Sequence, residues 1–487
     1  MTDAIVTNPL LSWKKSLWWV VVGAVFFNLT YQWMALPALG LLIFGYALAL
    51  VRLTNQATVR RAFYFGLATG IGSYAPQLLF FWNIFGPAAM VLWLVLAFWV
   101  GLFTAIICGV RWRWGRRTAL WLIPVVWTGV EYFRSELYYL KFSWLNVGYA
   151  LPVGHGGNVF IKLGMYGLGF LVFAIAGLVT ERRRFKGSQF AWAGIGLFCL
   201  GVVCCFSAFI SAMRYERPNL PVGIIGVQLE FANEYVVAKS LDRAFKQHPE
   251  SQIFVLSEYT LDGPVTDKLK NWCREQGRYL VVGGKEHLTN DDYYNTTYVI
   301  GTNSEIVFQQ AKSVPIQFFK DGRPAPSQKV WESPWGKIGL CICYDLSYTR
   351  VTDELIRQGA QLLIVPTMDV AEWGRHQHEL HSRVAPVRAA EYGVPIFRLA
   401  SSGISQAVNG YGDVPAHTSF PGSGDVLSAE LHLPMGGSLP LDRWLAPVCV
   451  VITAVVLGML LWLDWRGNQS SKHRRTSQIQ GPAGIDV

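Results

Sequence analysis

The chain has 487 residues, of which 52% are apolar and 15% charged, with a formal net charge of +10 and a positive mean hydropathy. Soluble domains carry about 25% charged residues, so the composition argues against a wholly soluble protein and for membrane-spanning segments. The basic excess is not a nucleic-acid signature. It sits in short clusters between apolar runs, Lys14-Lys15, Arg60-Arg61, RWRWGRR (111–117), ERRRFKG (181–187) and KHRR (472–475), and such clusters are held on the cytoplasmic face.

Apolar runs near the length needed to cross a bilayer, about 20 residues, occur at 16–34, 36–51, 63–83, 88–110, 118–133, 160–180, 189–212 and 444–463. Alternating sides from a cytoplasmic N-terminus puts every basic cluster inside. No small-residue cleavage site follows the first run, so a cleaved signal peptide is not expected. The predicted architecture is a multi-span α-helical membrane domain of about eight spans plus an α/β block. Residues 1–212 form about seven spans, 213–443 an extracytoplasmic domain, 444–463 a last transmembrane helix, and 464–487 a polar, disordered cytoplasmic tail. The outer segment 134–159, in which Trp144 and three tyrosines mix with Arg134 and Lys141, suits the membrane interface and an entry for lipid.

Within 213–443 the texture changes. Apolar runs at 222–230, 252–258, 279–284, 296–301, 337–345, 361–367 and 395–403 read as buried strands, with helical patterns at 234–248, 265–277, 351–359 and 379–393. Strands alternating with helices make the block α/β.

Three of the strand-like runs end on reactive side chains. Cys343 closes KIGLCICYD just before a helical stretch, where backbone N–H groups favour a thiolate and a developing oxyanion. Glu258 closes QIFVLSE, and a carboxyl there is costly to bury unless protonated or paired. Lys312, in QQAKSVPIQFFKDG, follows another strand-like run and can stabilise negative charge. A Cys–Glu–Lys set on three strand ends suits acyl transfer through a thioester. Taken singly, each has a bland reading: a core Cys, a capping Glu, a solvated Lys. Cys341 is the rival nucleophile, but its place inside the apolar run favours burial, and two cysteines at this spacing on a strand are poorly set for a disulfide. His376, His378 and His381 invite a zinc reading, yet the HExxH spacing is absent. GGK (283–285) lacks the phosphate-loop pattern and reads as a strand end.

Longer stretches carry a family likeness. VLSEY, the Lys312 segment, ICYD and HQHELHSRVAPVRAAEYGVPIFRLASSG (376–403) resemble the nitrilase (carbon–nitrogen hydrolase) superfamily. Together with PVVWTGVEYFRS (124–135), FSWLNVGYALP (142–152) and GMYGLGFL (164–171), they make the whole chain similar to the bacterial apolipoprotein N-acyltransferase family. The resemblance implies a nitrilase-like αββα sandwich and a ping-pong reaction. Cys343 would take an acyl chain from a phospholipid and pass it to the amine of a diacylated lipoprotein. Glu258 would serve as base and acid, while Lys312 and the backbone N–H of Tyr344 hold the oxyanion and Asp345 supports them. Phe318, Phe319 and Trp373 are expected to line and cover the substrate site or else to pack in the core, and Asp321, also expected to line the site, is the candidate counterpart of an additional family Glu. No cofactor, metal or nucleic acid is implied, and a monomer in the bacterial inner membrane is expected, with the catalytic domain outside and both termini cytoplasmic.

Three places depart from the family pattern. Asp345 stands where Glu is usual, VPIQFFKDG replaces a Pro-Phe-Gly-Glu stretch, and MDVAEWG replaces Asn-Asp-Ala-Trp-Phe-Gly. These departures bear on donor and acceptor choice. They motivate two other readings, a same-fold acyltransferase or amidase with another amine acceptor, and a catalytically silent membrane scaffold.

Overall fold

The computed structural model describes residues 10–32, 37–154, 158–181, 221–288, 292–422 and 424–479. The strands, in chain order, are β1 (Val222–Val227), β2 (Ile253–Leu256), β3 (Tyr279–His287), β4 (Tyr293–Ile300), β5 (Ile306–Ala311), β6 (Val330–Ser333), β7 (Gly336–Leu340), β8 (Leu362–Thr367), β9 (Ile396–Ala400), β10 (Gln406–Val408), β11 (Ala416–His417) and β12 (Val426–Leu431). They form two six-stranded sheets, ordered β12-β1-β2-β3-β4-β5 and β11-β10-β9-β8-β7-β6. The centres are parallel, β1-β2-β3 and β7-β8-β9, and the edges antiparallel.

Alternation along each strand builds three layers of core. Ile224, Val255, Ile338, Ile364 and Phe397 meet between the sheets. Ile225, Val227 and Phe254 face the other way, against Leu241 and Trp272 of the helices Glu234–Gln247 and Asp267–Gln276. Gly226 lets the sheets close, since a Cβ there would lie 2.4 Å from Leu399 Cδ1. On the second sheet Leu363, Val365 and Ile396 pack on Leu355, Ile356 and Val387 of the helices Thr349–Arg357 and Val384–Tyr392. This is the αββα sandwich of nitrilase-like proteins. The expected single helix 379–393 is two, Arg375–Ser382 and Val384–Tyr392, because Pro386 has no N–H to donate to the turn before it.

The last cluster continues through Tyr149, Tyr166 and Phe173 into the helical part of the chain, so one of the sandwich's helical layers shares its core with apolar helices. Among the described residues, three helical stretches are long and apolar enough to cross a membrane, Phe80–Leu137, Phe160–Glu181 and Asp442–Gly467. The runs expected at 88–110 and 118–133 meet at Gly115, whose φ of 81° and ψ of 175° break the helix between two limbs. Helices Trp13–Thr30, Ile43–Leu53 and Val59–Gln77 stand on the first three runs. The run at 189–212 lies outside the described residues. After Trp465 the helix does not stop, as the polar tail suggested, but continues to Ile479. Trp444, Val448, Val451, Val455 and Leu461 of that helix are exposed, an apolar face suited to lipid.

A buried charge network joins the two parts. Gly164 breaks its helix at φ 71°, and the N–H groups of the new helical start turn to carboxylates: Met165 donates to Glu391 at 2.6 Å and Tyr166 to Asp442 at 2.9 Å. Arg388 pairs with Glu391 at 2.5 Å, and Arg443 with Asp353 at 2.8 Å.

Candidate active site

The strand ends converge. Ser257 and Glu258 follow β2, and Tyr259 turns the chain in the left-handed region at φ 55°. Gly283 lies beside this turn within β3, where a Cβ would come 2.7 Å from Glu258 Cα; the GGK run is thus a close backbone approach inside a strand. Lys312 follows β5 directly, and its ammonium lies 2.8 Å from Glu258 and 2.8 Å from Asp321. Asn295 of β4 donates to both carboxylates, at 2.6 Å to Glu258 and 3.0 Å to Asp321. The Tyr259 hydroxyl donates to Asp321 at 2.6 Å, and the Met368 N–H, just past β8, donates to the second Glu258 oxygen at 2.8 Å.

Cys343 opens a short 3₁₀ turn, Cys343–Ser347, at φ 51°. A non-glycine residue there is strained, and such strain persists where surrounding structure over-determines it. Its thiol donates to the Met368 carbonyl at 3.9 Å. Asp345 shows how the turn is fixed: its carboxylate accepts the N–H groups of Ser313 at 3.0 Å, Val314 at 2.7 Å and Ile342 at 3.2 Å. It therefore staples the segment after Lys312 to the cysteine turn. Cys341 instead sits fully buried in the apolar cluster.

Electrostatics set the resting state. Burial pushes the Glu258 carboxyl up, against the pull of Lys312. Burial also opposes the Lys312 charge, but Asp321 and Glu258 outweigh it and hold the ammonium well above the usual lysine range. Asp321 is buried too, and Lys312 keeps it below the ordinary carboxylate value. Burial, then Glu258, raise the Cys343 thiol, with Lys312 opposing. Burial lifts Asp345 to about 6 despite its N–H donors. The cluster rests as an ammonium against the Asp321 carboxylate, beside a neutral thiol and a Glu258 carboxyl that burial makes easier to protonate.

A second network flanks it. Asp369 accepts from His381 at 2.8 Å and pairs with the buried Arg398 of β9. The indole of Trp144 stacks on His381, centroids 4.5 Å apart, and donates to Ser347 Oγ at 3.0 Å. His376 turns to Gln77 and His378 to the Val370 carbonyl, so the three histidines face separate partners.

A cavity of about 70 Å³ opens beside the thiol, walled by Phe142, Trp144, Phe319, Tyr344, Trp373 and His381. A second, of about 390 Å³, adjoins it and shares Phe81, Phe142, Ile316, Phe319 and Tyr344. Of the expected lining residues, Phe319 and Trp373 stand on the first cavity, while Phe318 is exposed and lines the second. Asp321 lines neither; it is buried as the second anion of Lys312, because Tyr259, Asn295 and the Ile316 N–H pull it inward. Sequence reading passed over Asn295, Arg398 and Trp144. A polar residue inside an apolar strand was the available signal for the first two.

Residues 23–178 match the model of the apolipoprotein N-acyltransferase N-terminal domain, and 225–438 the model of carbon-nitrogen hydrolases. An apolipoprotein N-acyltransferase of Geobacter metallireducens is 25% identical over 82% of this chain and 87% of its own length. One of Shewanella oneidensis is 24% identical over 85% and 89%. Among solved structures, Saccharomyces cerevisiae Nit3 of the nitrilase superfamily aligns with a TM-score of 0.39 and 20% identity, covering 44% of this chain and 91% of its own.

Proposed function

The chain belongs, by its paired N-terminal and carbon–nitrogen hydrolase domains, to the apolipoprotein N-acyltransferase family, and from that premise we propose that it moves an acyl chain from a phospholipid, through a thioester on Cys343, to the N-terminal amine of a diacylglyceryl-cysteine lipoprotein. In the first half-reaction Cys343 Sγ bonds to the ester carbonyl carbon and the C–O bond breaks. The thiol proton passes to Glu258 and then to the departing alkoxide, which leaves as lysophospholipid. In the second, the acceptor nitrogen bonds to the thioester carbonyl and the C–S bond breaks. Glu258 relays the amine proton to the departing thiolate. The Lys312 ammonium and the Tyr344 N–H stabilise the oxyanion in both steps.

The observation that carries this reading is the Lys312 ammonium within 2.8 Å of Glu258, at a Cys343 turn that opens on apolar cavities. A raised, neutral thiol needs a base at the moment of attack, and a carboxylate raised by burial is one. The apolar walls suit an acyl chain and keep water from the thioester. In the same proposal about eight spans hold the chain in the inner membrane of a bacterium, with the two-sheet block outside and both termini inside. The test is incubation of the purified protein with labelled phospholipid and a diacylated lipopeptide, with Cys343→Ala as control. Label should reach the lipopeptide with the wild type alone. A stable acyl-enzyme without transfer would point to another amine acceptor, and no acyl-enzyme at all would point to a silent scaffold.

A further inference from the structure

The loop 316–321 has two sides. Ile316, Gln317, Phe318 and Phe319 line the apolar cavity against the helices, whereas Lys320 lines a separate cleft of about 820 Å³. Among the described residues this cleft is lined by the two-sheet block alone, at 231–234, 259–264, Thr266, Lys285, Tyr293, Lys320 and Met368. Its volume falls within the 300–1,000 Å³ of ordinary ligand sites. Its walls differ in kind from the acyl cavity, with Tyr and Phe rings, carboxylates, ammonium groups and loop backbone side by side.

Met368 stands between the cleft and the chemistry. Its N–H binds Glu258 at 2.8 Å, its carbonyl accepts from the Cys343 thiol at 3.9 Å, and the same residue lines the cleft. The rim is tied to this loop as well. Glu230, next to the rim residue Phe231, accepts the Ala371 N–H at 3.0 Å and the Ser402 hydroxyl at 2.7 Å. Phe231 itself is held in the left-handed region at φ 52° and is 75% exposed, an aromatic residue turned to solvent at the rim of the cleft.

The geometry points to this cleft as the seat of the acceptor's polypeptide, the few residues that follow the lipidated cysteine. The inference rests on the acyl-transfer reading and extends it. The acceptor is part lipid and part peptide, and the peptide needs a polar, water-facing way out from the thiol. A phospholipid headgroup is the competing occupant, but the cleft's charges cancel: Glu234 and Asp262 stand against Lys285 and Lys320, and Lys285 is already paired with Asp262. A phosphate site would show a cationic excess or an arginine fork. A peptide backbone beside aromatic rings needs neither.

Phe231→Ala in the full-length protein tests this with two acceptors, a diacylglyceryl-cysteine amide and the same molecule extended by several residues. The expected result is a five- to ten-fold rise in KM for the extended acceptor, against less than two-fold for the short one. An equal change for both acceptors would overturn the assignment, as would slower acylation of Cys343 by phospholipid, which would place the donor's headgroup in the cleft. Absence of any acyl-enzyme in the wild type would instead overturn the acyl-transfer reading itself, so the two failures are distinguishable.

Discussion

Glu258, Asn295, Lys312 and Asp321 are fixed by one another and by strands of the two-sheet block, whereas the turn that carries Cys343 leans on the helical part. Ser347, at the end of that turn, accepts from Trp144 through its hydroxyl and from Ser143 through its carbonyl. The Tyr344 hydroxyl donates to the Lys141 carbonyl, and the Thr349 N–H to Glu136. From the sandwich side, Arg388 donates to the carbonyls of Leu346 and Ser347. The charged half is thus held within one domain, while the cysteine's half is set where the two parts share a core. In an enzyme acting on lipid, this would let the membrane part place the thiol at its own cavities, while Asp345 and Met368 tie the turn to the buried charges.

Breaking the charged half should cost most. Lys312→Met would leave the Glu258 and Asp321 carboxylates buried without their cation, and acylation should fall about 10³-fold or more. Destabilisation of about 3–5 kcal/mol should follow, as for other buried pairs that lose one partner, read as a lower unfolding temperature in detergent. If unfolding were unchanged, the carboxylates would not depend on Lys312 as the geometry requires.

Arg388→Met attacks the boundary between the two halves. It strips Glu391 of its 2.5 Å partner and frees two carbonyls of the cysteine turn, so a similar loss of stability, about 3–5 kcal/mol, is expected. Acylation should fall beyond what unfolding explains, checked by measuring it well below the melting temperature.

A pH profile sharpens the contrast. Burial raises Glu258 and lifts Asp345 to about 6. Both must be ionised to act as base and as staple, so acylation should be lost as pH falls through a value clearly above the usual glutamate value of about 4.3. An acid limb at the ordinary value would mean a solvated carboxyl and contradict the burial. The smallest effect belongs to Trp144→Phe and Ser347→Ala, which remove one hydrogen bond worth about 1 kcal/mol. Each should slow acylation several-fold, and the double variant should be no slower than either single one. Additive losses would mean that the bond does not couple the helical part to the turn.

The residues at strand ends were legible because their signal is local: an apolar run closing on Glu258 or Cys343, or followed by Lys312, stands out in any window. The seven parallel-centre and neighbouring strands stood out for the same reason. What escaped was non-local. Strand β12 reads VLSAEL, an exposed-edge pattern, and acquires meaning by pairing with β1 from about two hundred residues away in sequence. Trp144 looked interfacial, and only the folded chain stacks it on His381. Asp321 looked like a lining residue until Asn295, Tyr259 and Lys312 closed around it. Gly115 carried its helix break in the basic cluster RWRWGRR, where charge drew attention away from backbone.

Of the two neighbouring cysteines, Cys343 and not Cys341 should carry the thioester, and intact-protein mass spectrometry after incubation with a phospholipid of defined acyl chain distinguishes them. The wild type and Cys341→Ala should each gain the mass of a single acyl group, released by hydroxylamine, while Cys343→Ala should gain none. Acylation that survives in Cys343→Ala, or disappears in a folded Cys341→Ala, would contradict this assignment.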